Sequence, residues 1–508
     1  LQASKTFLFH RNRRFIIAGA LLLLLIGAIA WYTLPGIFQS NSSAKTAVKT
    51  QEERPEALLE RLSRSNFEGM EKQVVEKIRG LLEEVKQNPT SAFAWGKLGM
   101  NLDVHDLKTE SLVCYEKAAT LNPEDFRWPY YKGVVLDSQG STDAVGYFER
   151  ATTLKPEYAP AWIRLGQALF AAKRPEEAAN KFQRAVQLEP TSHAHVGLAR
   201  VYLSQGRLEE SLSNLLEAVR LQPQHGEAHG LLSEVYRRLN RPQNAQAEMW
   251  ISQQLPERTP LPDIQMGEWA NEGVSSTWYD IRGRSYLQQG RYDEAVNELT
   301  KAVNAKADAR ILDTLGIAYQ YLRRYDDAAK YHQQALALQP KSGSMLNNMA
   351  SVYYEKGNLP KALEYMERAI QSEPTFAYSY HHLGQMHLRS GNRKAAIAAY
   401  QSGHERLPQN GQIATQLAWL LATTPDPSLR DGKEAVRLAE AVSKSTPVPD
   451  PQTLIALAAA YAETGEFDRA VTTASTAREL LGNSGKNPIV QQLDSHIASY
   501  QQKKPHHE

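Results

Sequence analysis

Apolar residues recur along most of this chain at a helical spacing, and the whole pattern repeats about every 34 residues. The clearest copy runs from Ala159 to Pro190. Its large residues fall on one face of two successive helical segments: Trp162, Leu165, Leu169 and Phe182. Its small residues let the two helices approach closely: Gly166, Ala178 and Ala185. Because a proline then stops the second segment, the pattern predicts a helix-turn-helix unit.

The same frame returns along the chain. We expect units that begin near Ala92, Asp125, Ala159, Ser192, Gly226, Ser276, Ala309, Gly343, Ala377, Gly411 and Pro451. One helical pair cannot bury its apolar face alone, whereas stacked neighbours can. The sequence therefore predicts an all-α solenoid of about eleven helix-turn-helix units, in which the array is the folding unit.

The repeats fall into two predicted arrays, residues 92–255 and residues 276–482. Between them, residues 256–275 are predicted to be a proline-rich linker, because its prolines interrupt any helix. Trp269 in this linker either packs within the chain or docks between the arrays or onto a partner, and packing is the simpler expectation. Two flanking segments are expected at the ends: a leading helix in residues 67–91, and a capping helix with a disordered tail in residues 483–508.

An apolar stretch near the N-terminus, residues 15–34, is predicted to cross a membrane. Its twenty uncharged residues span about 30 Å, which matches a hydrocarbon core. The basic tail 1–14 is expected to stay in the cytoplasm, so a bacterial inner-membrane protein would carry the repeats in the periplasm. The alternative is a cleaved signal peptide, since residues 28–30 resemble a cleavage site. Residues 35–66 are expected to form a flexible tether.

Composition excludes several classes of function. The 58 basic and 56 acidic residues nearly cancel and no segment carries a basic excess, which argues against nucleic-acid binding. The single cysteine, Cys114, cannot form an intrachain disulfide or a Cys-rich zinc site. The chain has no phosphate-binding loop and no dinucleotide-binding, zinc-protease or serine-hydrolase motif. We therefore predict no catalytic residues, no cofactor and no metal site.

Four histidines lie around one repeat junction: His193, His195, His225 and His229. A metal site needs three or four converging ligands, and no carboxylate or thiol partner is evident beside them. Packing and groove-lining roles are therefore favoured for these histidines over metal binding.

Residues 92–480 resemble the tetratricopeptide-repeat (TPR) superfamily, through the residue pattern described for the unit from Ala159. Residues 124–136, 158–169 and 417–436 look similar to bacterial membrane-anchored, extracytoplasmic TPR proteins. The resemblance implies a right-handed α-solenoid with a concave groove that takes peptides or protein segments. It also implies a lean toward cytochrome-related partners.

The same resemblance implies that the first helix of each unit lines the groove. The lining is partly apolar in the unit from Ala159, where it includes Arg164, and it turns polar later. The candidate partner-binding residues are Asp280, Arg284, Arg310, Asp313, Asn347, Asn348, Tyr354, Tyr378, His381, His382, Gln385 and Arg389. Amides and tyrosines suit an extended peptide, but a groove that faces water is polar in any case.

One known groove chemistry is disfavoured. In TPR proteins that hold chaperone C-termini, a two-carboxylate clamp needs lysine and asparagine where this chain has Asp313 and Ile317. The leading hypothesis is a non-catalytic, membrane-anchored scaffold, a structural or assembly subunit of a periplasm-facing membrane or extracellular complex. The alternative is a chaperone-like receptor for exported clients such as apocytochromes. A third hypothesis, an import receptor with cytosolic repeats, is disfavoured by the missing clamp residues.

Overall fold

Helices dominate the described part of the chain. The computed structural model describes residues 53–256, 258–447, 450–482 and 488–507. These ranges contain 26 α-helices and no β-strand. The predicted basic tail 1–14 and membrane anchor 15–34 lie outside the described residues. Within the described ranges, none of the helices is both long enough and apolar enough to cross a bilayer.

The helices follow one another in pairs joined by short turns. Their bounds are α1 Pro55–Arg64, α2 Lys72–Gln87, α3 Ala92–Val104, α4 Lys108–Leu121, α5 Arg127–Ser138, α6 Ala144–Leu154, α7 Ala159–Ala171, α8 Pro175–Leu188, α9 Ser192–Ser204, α10 Leu208–Leu221, α11 Gly226–Arg238, α12 Pro242–Gln254, α13 Ile264–Asn271, α14 Ser276–Gln288, α15 Tyr292–Ala305, α16 Ala309–Tyr321, α17 Tyr325–Leu338, α18 Gly343–Glu355, α19 Leu359–Ser372, α20 Ala377–Arg389, α21 Arg393–Arg406, α22 Gly411–Thr423, α23 Gly432–Ser445, α24 Pro451–Glu463, α25 Phe467–Leu481 and α26 Pro488–Gln501.

Each of the eleven predicted units is a helix pair in the structure. Five pairs run from α3 to α12, and six more run from α14 to α25. The first helix begins at the predicted residue in every unit except the second, where α5 begins at Arg127 and not at Asp125. There the Asp125 carboxylate accepts a hydrogen bond from the backbone N–H of Arg127 at 3.1 Å, which delays the helix start. The hydrophobic period therefore located the repeats almost to the residue.

The packing of Phe182 shows why small residues recur at fixed places in the repeat. Its buried ring lies on α8 and is covered by Gly166 on α7 and Gly197 on α9. A Cβ atom at Gly166 would lie 2.7 Å from the ring, and one at Gly197 would lie 2.3 Å from it. Since carbon atoms do not approach so closely, the aromatic ring occupies space that only glycine leaves open.

The chain divides into two compact units, with the boundary between Lys306 and Ala307. The pair α14–α15, which the sequence assigned to the second array, belongs to the first unit. Contacts at the start of α14 hold it there. The Trp278 indole N–H donates to the backbone oxygen of Val104 at 2.9 Å, and the backbone N–H of Ser276 donates to Glu71 at 2.7 Å.

Both ends of the described chain are more ordered than the sequence suggested. Part of the predicted tether 35–66 is the helix α1, in which Leu58 and Leu62 are buried one turn apart. The predicted C-terminal cap is α26, and Tyr500 on it is buried. In the tail beyond it, the His507 imidazole lies 2.7 Å from the Glu463 carboxylate. Buried apolar side chains thus anchor α1 and α26, and one polar contact lies in the tail beyond α26.

Candidate binding surfaces

The twelve candidate residues divide between the two compact units. Asp280 and Arg284 lie on α14 in the first unit, and the other ten lie on α16, α18 and α20 in the second. All twelve are on first helices of their pairs, as expected. The surface that first helices form in each unit is called the first-helix surface below.

In the second unit, Asp313 on α16 is held from two sides. Its carboxylate lies 2.7 Å from Nδ1 of His332 on α17, and it accepts a 2.9 Å hydrogen bond from the Asn348 amide on α18. His332 is fully buried. It occupies the repeat position where Phe182 stands in the unit from Ala159. The candidates predicted from the sequence did not include His332, although the repeat frame marks it as a polar side chain at a core position.

The neighbouring asparagine also links successive repeats. Asn347 is buried, and its amide donates to the backbone oxygen of Gly343 at 3.0 Å and to the Ser379 hydroxyl on α20 at 2.7 Å. Asn348 links α18 to α16 and Asn347 links α18 to α20. The amide N–H groups that we expected to meet a partner's backbone therefore make hydrogen bonds inside the unit. Asn347 and Asn348 therefore hold the first helices of neighbouring repeats in place.

A more open part of the same surface lies on α18 and α20. The Arg389 guanidinium lies 5.9 Å from the centre of the Tyr354 ring and 4.0 Å from the Glu355 carboxylate. The Gln385 amide donates to the hydroxyl of Tyr400 at 3.3 Å. Arg389 is exposed and Tyr354 is half-buried, so both reach the surface. Arg310, on α16, is half-buried.

Next to this region, the rings of Tyr378 and His382 are in contact, with their centres 3.9 Å apart and their planes tilted by 44°. Burial, together with the nearby His381 and Arg389 side chains, lowers the pKa of His382 to about 3. Burial also lowers the pKa of His381 and raises the pKa of Tyr378 to about 12. All three rings are therefore uncharged at neutral pH. They offer a ligand aromatic faces and neutral hydrogen-bonding groups.

In the first unit, Asp280 and Arg284 form an ion pair one turn apart on α14. The Asp280 side chain is fully buried and the Arg284 side chain is 14% exposed. The guanidinium of Arg282, between them in sequence, pairs with Glu298 at 2.8 Å and donates to the backbone oxygen of Gly273 at 2.7 Å. This part of the surface is therefore engaged with the chain that precedes α14.

That preceding chain, residues 258–275, is named the inserted segment here. The sequence predicted a linker, but the structure shows the eight-residue helix α13 and contacts along the first-helix surface of the first unit. The centre of these contacts is Asp263, whose side chain is 1% exposed. Its carboxylate accepts hydrogen bonds from the hydroxyls of Tyr130 and Tyr158, the latter at 2.6 Å, and lies 3.4 Å from the Arg164 guanidinium. Asp263 also accepts from the backbone N–H of Met266 and so caps α13.

The electrostatics of this site follow from burial and from the paired charge. Burial alone would lower the pKa of Arg164, but Tyr130 and Asp263 favour its charged form and raise the pKa overall. Burial raises the pKa of Tyr130 far above its usual value, so its hydroxyl stays protonated and donates. The site therefore presents one cation and two hydroxyl donors to a single carboxylate.

Further along the inserted segment, Trp269 packs against the first unit, as the simpler expectation held. Its indole N–H donates to the Asp103 carboxylate at 2.7 Å, and its ring meets Trp278 edge-on at 5.3 Å. Burial raises the pKa of Asp103 to about 6. Prolines interrupt the repeat here as predicted. The inserted segment nevertheless finds hydrogen-bond partners on the polar surface of the first helices.

The remaining contacts of the inserted segment involve its backbone. The Tyr131 hydroxyl donates to the oxygen of Gln265 at 2.9 Å, and the Asn101 amide donates to the oxygen of Glu272 at 2.9 Å. Nε2 of His193 lies 2.9 Å from the oxygen of Thr259. At the other end, Nε2 of His105 accepts from the backbone N–H of Val274 at 3.3 Å. The surface thus holds both the backbone and the side chains of a polypeptide.

The four histidines at the repeat junction have ordinary partners. His193 and His225 place their ring centres 4.7 Å apart, and Nδ1 of His225 lies 2.5 Å from the Ser192 hydroxyl. His229 pairs with Glu248 at 2.6 Å, and His195 contacts Asn214 at 3.0 Å. In the part of the chain that the structure describes, no three His, Cys, Asp or Glu side chains converge as metal ligands would.

Family profiles described as tetratricopeptide repeat match this chain at several places. They cover residues 136–193 and 314–378, residues 169–234, residues 279–308 and 377–403, and residues 451–475. Each matched range lies on helix pairs of the structure. The profiles reach both compact units.

Curated proteins with similar sequences are large and only partly matched. The anaphase-promoting complex subunit 7 of Arabidopsis thaliana is 23% identical over 209 residues, which are 41% of this chain and 35% of that protein. The Hsp70-Hsp90 organizing protein of Triticum aestivum is 22% identical over 263 residues, which are 49% of this chain and 41% of that protein. The human protein O-mannosyl-transferase TMTC1 is 25% identical over 219 residues, which are 42% of this chain and 23% of that protein.

Among solved structures, the match to yeast Tom70 covers 81% of this chain and 96% of the Tom70 chain, at 14% identity and a TM-score of 0.38. MamA from Desulfovibrio magneticus covers 33% of this chain and 95% of its own, at 21% identity and a TM-score of 0.31. The chain thus spans less than half the length of the curated relatives named above.

Proposed function

Because this chain belongs to the tetratricopeptide-repeat superfamily, we propose that it is a non-catalytic scaffold that binds other proteins through its first-helix surfaces. One observation carries the proposal. The first-helix surface of the first unit already holds a polypeptide, the inserted segment, through side-chain and backbone hydrogen bonds. A surface of this kind is suited to polypeptide ligands.

In the second unit, the proposed partner surface is the open region around Arg389, Tyr354 and the Tyr378–His382 ring pair. Here the exposed guanidinium of Arg389 lies beside partly buried aromatic side chains. Rigid aromatic residues next to arginine often supply most of the binding energy of an interface. Asp313 and Asn347 belong to the frame beneath this region, because their polar atoms bridge helices.

Two curated relatives bear names that describe assembly with other proteins, a complex subunit and an organizing protein for Hsp70 and Hsp90. These names support a scaffold. The finer proposal is a membrane-anchored subunit that faces the periplasm of a bacterium. It is supported by the uncharged stretch 15–34 and the basic residues before it. A chaperone-like receptor for exported clients is the second candidate, since a preformed polypeptide-binding surface suits transient ligands as well.

A mild-detergent purification of the tagged full chain, with protein stoichiometry measured by mass spectrometry, tests the proposal. A stable subunit is expected to bring down a small set of partners at fixed ratios. A receptor for clients is expected to recover many exported proteins at low ratios that decline with washing. Recovery of the tagged chain alone, under conditions that preserve membrane complexes, would contradict both.

The membrane proposal has its own test. Membranes from the native host are washed with alkaline carbonate, and intact cells are compared with permeabilised cells for protease access to the repeats. An anchored, periplasmic protein is expected to stay in the membrane fraction during the wash. Protease is expected to cleave it only after the outer membrane has been permeabilised. Release into the wash would contradict a retained anchor, and cleavage only in lysed cells would contradict the periplasmic location.

A further inference from the structure

The inserted segment is held by groups that are distant in sequence and that lie on or beside four successive first helices. Its contacts extend from His193 on α9, through Arg164 on α7 and Tyr130 on α5, to Asp103 on α3. The two residues in each contact are far apart in the sequence. The separation ranges from 66 residues, between His193 and Thr259, to 171 residues, between Asn101 and Glu272. The segment therefore follows the first-helix surface across four repeats and runs opposite to their order in the chain.

The contacts resemble those of a bound ligand more than those of a core element. The segment's apolar side chains that pack on the core of the first unit are only partly buried: Leu261, Met266, Trp269 and Val274. Ile264, on the other side of α13, is 76% exposed. Most contacts are single hydrogen bonds to side chains of the repeats. Each of these hydrogen bonds can also be made to another polypeptide, so a competitor that carries the same groups can take the place of the segment.

Two subsites define which competitor would fit. Tyr130, Tyr158 and Arg164 converge on one carboxylate, and this carboxylate also caps a short helix. Asp103 accepts the indole N–H of a tryptophan on that helix. A ligand for both subsites needs an Asp at a helix start and a Trp six residues later, the separation between Asp263 and Trp269.

We propose that the first-helix surface of the first unit is a binding site for an acidic, tryptophan-containing segment of a partner protein, and that residues 258–275 are its resident and displaceable ligand. The partner carries the same Asp-to-Trp spacing and exchanges with the inserted segment. This site is separate from the surface around Arg389, so the proposal goes beyond the partner surface of the second unit.

A peptide-binding experiment on the full-length protein tests the exchange. The probe is a fluorescent peptide with the sequence of residues 258–275, and its anisotropy is measured against the wild-type chain and against the double variant Asp263→Ala, Trp269→Ala. We expect the double variant to bind the peptide at least about tenfold more tightly, because its own segment no longer occupies the two subsites. The Ile264→Ala chain is the matched control and should bind as the wild type does, since Ile264 is exposed.

Two further variants identify the subsites. A peptide with asparagine in place of its aspartate should bind the double variant about tenfold more weakly, and adding Arg164→Met to the chain should have a similar effect. Peptide binding that depends on neither group would overturn the proposal. So would an absence of peptide binding by a double variant whose circular dichroism matches that of the wild type.

A measurement on the unmodified chain covers the case in which the double variant does not fold. Hydrogen exchange of residues 264–271 is followed in wild-type protein with increasing peptide concentration. Displacement is expected to speed their exchange in proportion to peptide occupancy, and the asparagine peptide should need about tenfold higher concentration for the same effect. Unchanged exchange under saturating peptide would mean a permanent structural element and would overturn the proposal. A peptide-induced change from dimer to monomer would instead indicate segments exchanged between two copies, and would also overturn it.

Discussion

The hydroxyl of Tyr158 donates a 2.6 Å hydrogen bond to the carboxylate of Asp263, which is 105 residues further along the chain. Tyr158 directly precedes α7 in the third repeat, and Asp263 begins the short helix of the inserted segment. Their contact joins a repeat to a stretch that lacks the repeat pattern. It shows that the interruption between repeats is part of the first unit's structure.

The first prediction concerns the charge of Asp263. The change Asp263→Ala should lower the unfolding free energy of the first unit by about 3 kcal/mol, because it leaves the Arg164 cation buried without its carboxylate. Asp263→Asn should cost less, since the amide oxygen can still accept from Tyr158. Urea denaturation followed by tryptophan fluorescence gives these values. The adjacent Ile264→Ala serves as control and should stay within about 0.5 kcal/mol of the wild type.

The second prediction tests the space beside Phe182. Gly197→Ala should destabilise the first unit by about 2 kcal/mol, because the added methyl would lie 2.3 Å from the ring and force it to move. Gly146→Ala should instead stabilise the unit by about 0.5–1 kcal/mol. Gly146 is also inside a helix, but nothing lies within 4 Å of its Cβ position, so only the helix propensity changes. Thermal denaturation of the pair distinguishes these signs, and a stabilising Gly197→Ala would contradict the packing described here.

The third prediction concerns the effect of acid on the inserted segment. Burial lowers the pKa of His105 to about 4 from an ordinary value of 6.5. The neutral imidazole therefore stabilises the fold fully above pH 6.5, and this stability is lost as the pH falls toward 4. Because the ring is partly exposed, we expect a loss of about 1–2 kcal/mol. His105→Gln should remove this part of the acid sensitivity when unfolding is measured between pH 7 and pH 4.5.

Asp103 acts in the opposite direction over nearly the same range. Burial raises the pKa of Asp103 to about 6 from 3.8, so its contribution to stability increases as the pH falls through 6 and is lost as the pH rises. Asp103→Asn should therefore make the first unit more sensitive to acid than the wild type is. Variants at Asp103 and His105 that shift the pH profile in the same direction would contradict this explanation.

The fourth prediction tests the contact between Asp313 and His332. In a double-mutant cycle with Asp313→Ala and His332→Phe, we expect a coupling energy of about 1–2 kcal/mol, because the two side chains share a 2.7 Å contact in a buried site. Urea denaturation of the second unit provides the four values. A second cycle pairs Asp313→Ala with Glu364→Ala, an exposed position on α19, and should be additive within about 0.5 kcal/mol.

The fifth prediction concerns the partner surface in the second unit. Arg389→Ala should weaken recovery of partners at least about tenfold while leaving the melting temperature within about 1 °C, because the side chain is exposed and its contacts are at the surface. Quantitative pull-down from detergent-solubilised membranes measures the effect. Glu364→Ala, on a second helix, should leave recovery unchanged. Equal losses for both variants would indicate that the proposed surface has no special role.

Much of the fold could be predicted because it depends on the regular spacing of large apolar and small residues within each repeat. A large residue at the Phe182 position and a small residue at the Gly166 position recur in register in most units, and α7–α8 shows how such a pair buries them. Near α1 the prediction failed, since Leu58 and Leu62 lie in a polar stretch that has no repeat to compare with. The same frame could have identified His332, since it is a polar residue at a position where large apolar side chains are favoured.

The sequence by itself determined the helices, their order and the eleven units, because helix formation and pair packing depend on residues close together in the chain. It also determined that prolines end the regular array before residue 264. Only the tertiary structure decided where the inserted segment binds. The Tyr130, Tyr158 and Arg164 side chains meet at the Asp263 carboxylate through folding, and no spacing in the sequence encodes that meeting. A buried charge needs partners from any distance along the chain, whereas a helix needs only its neighbours.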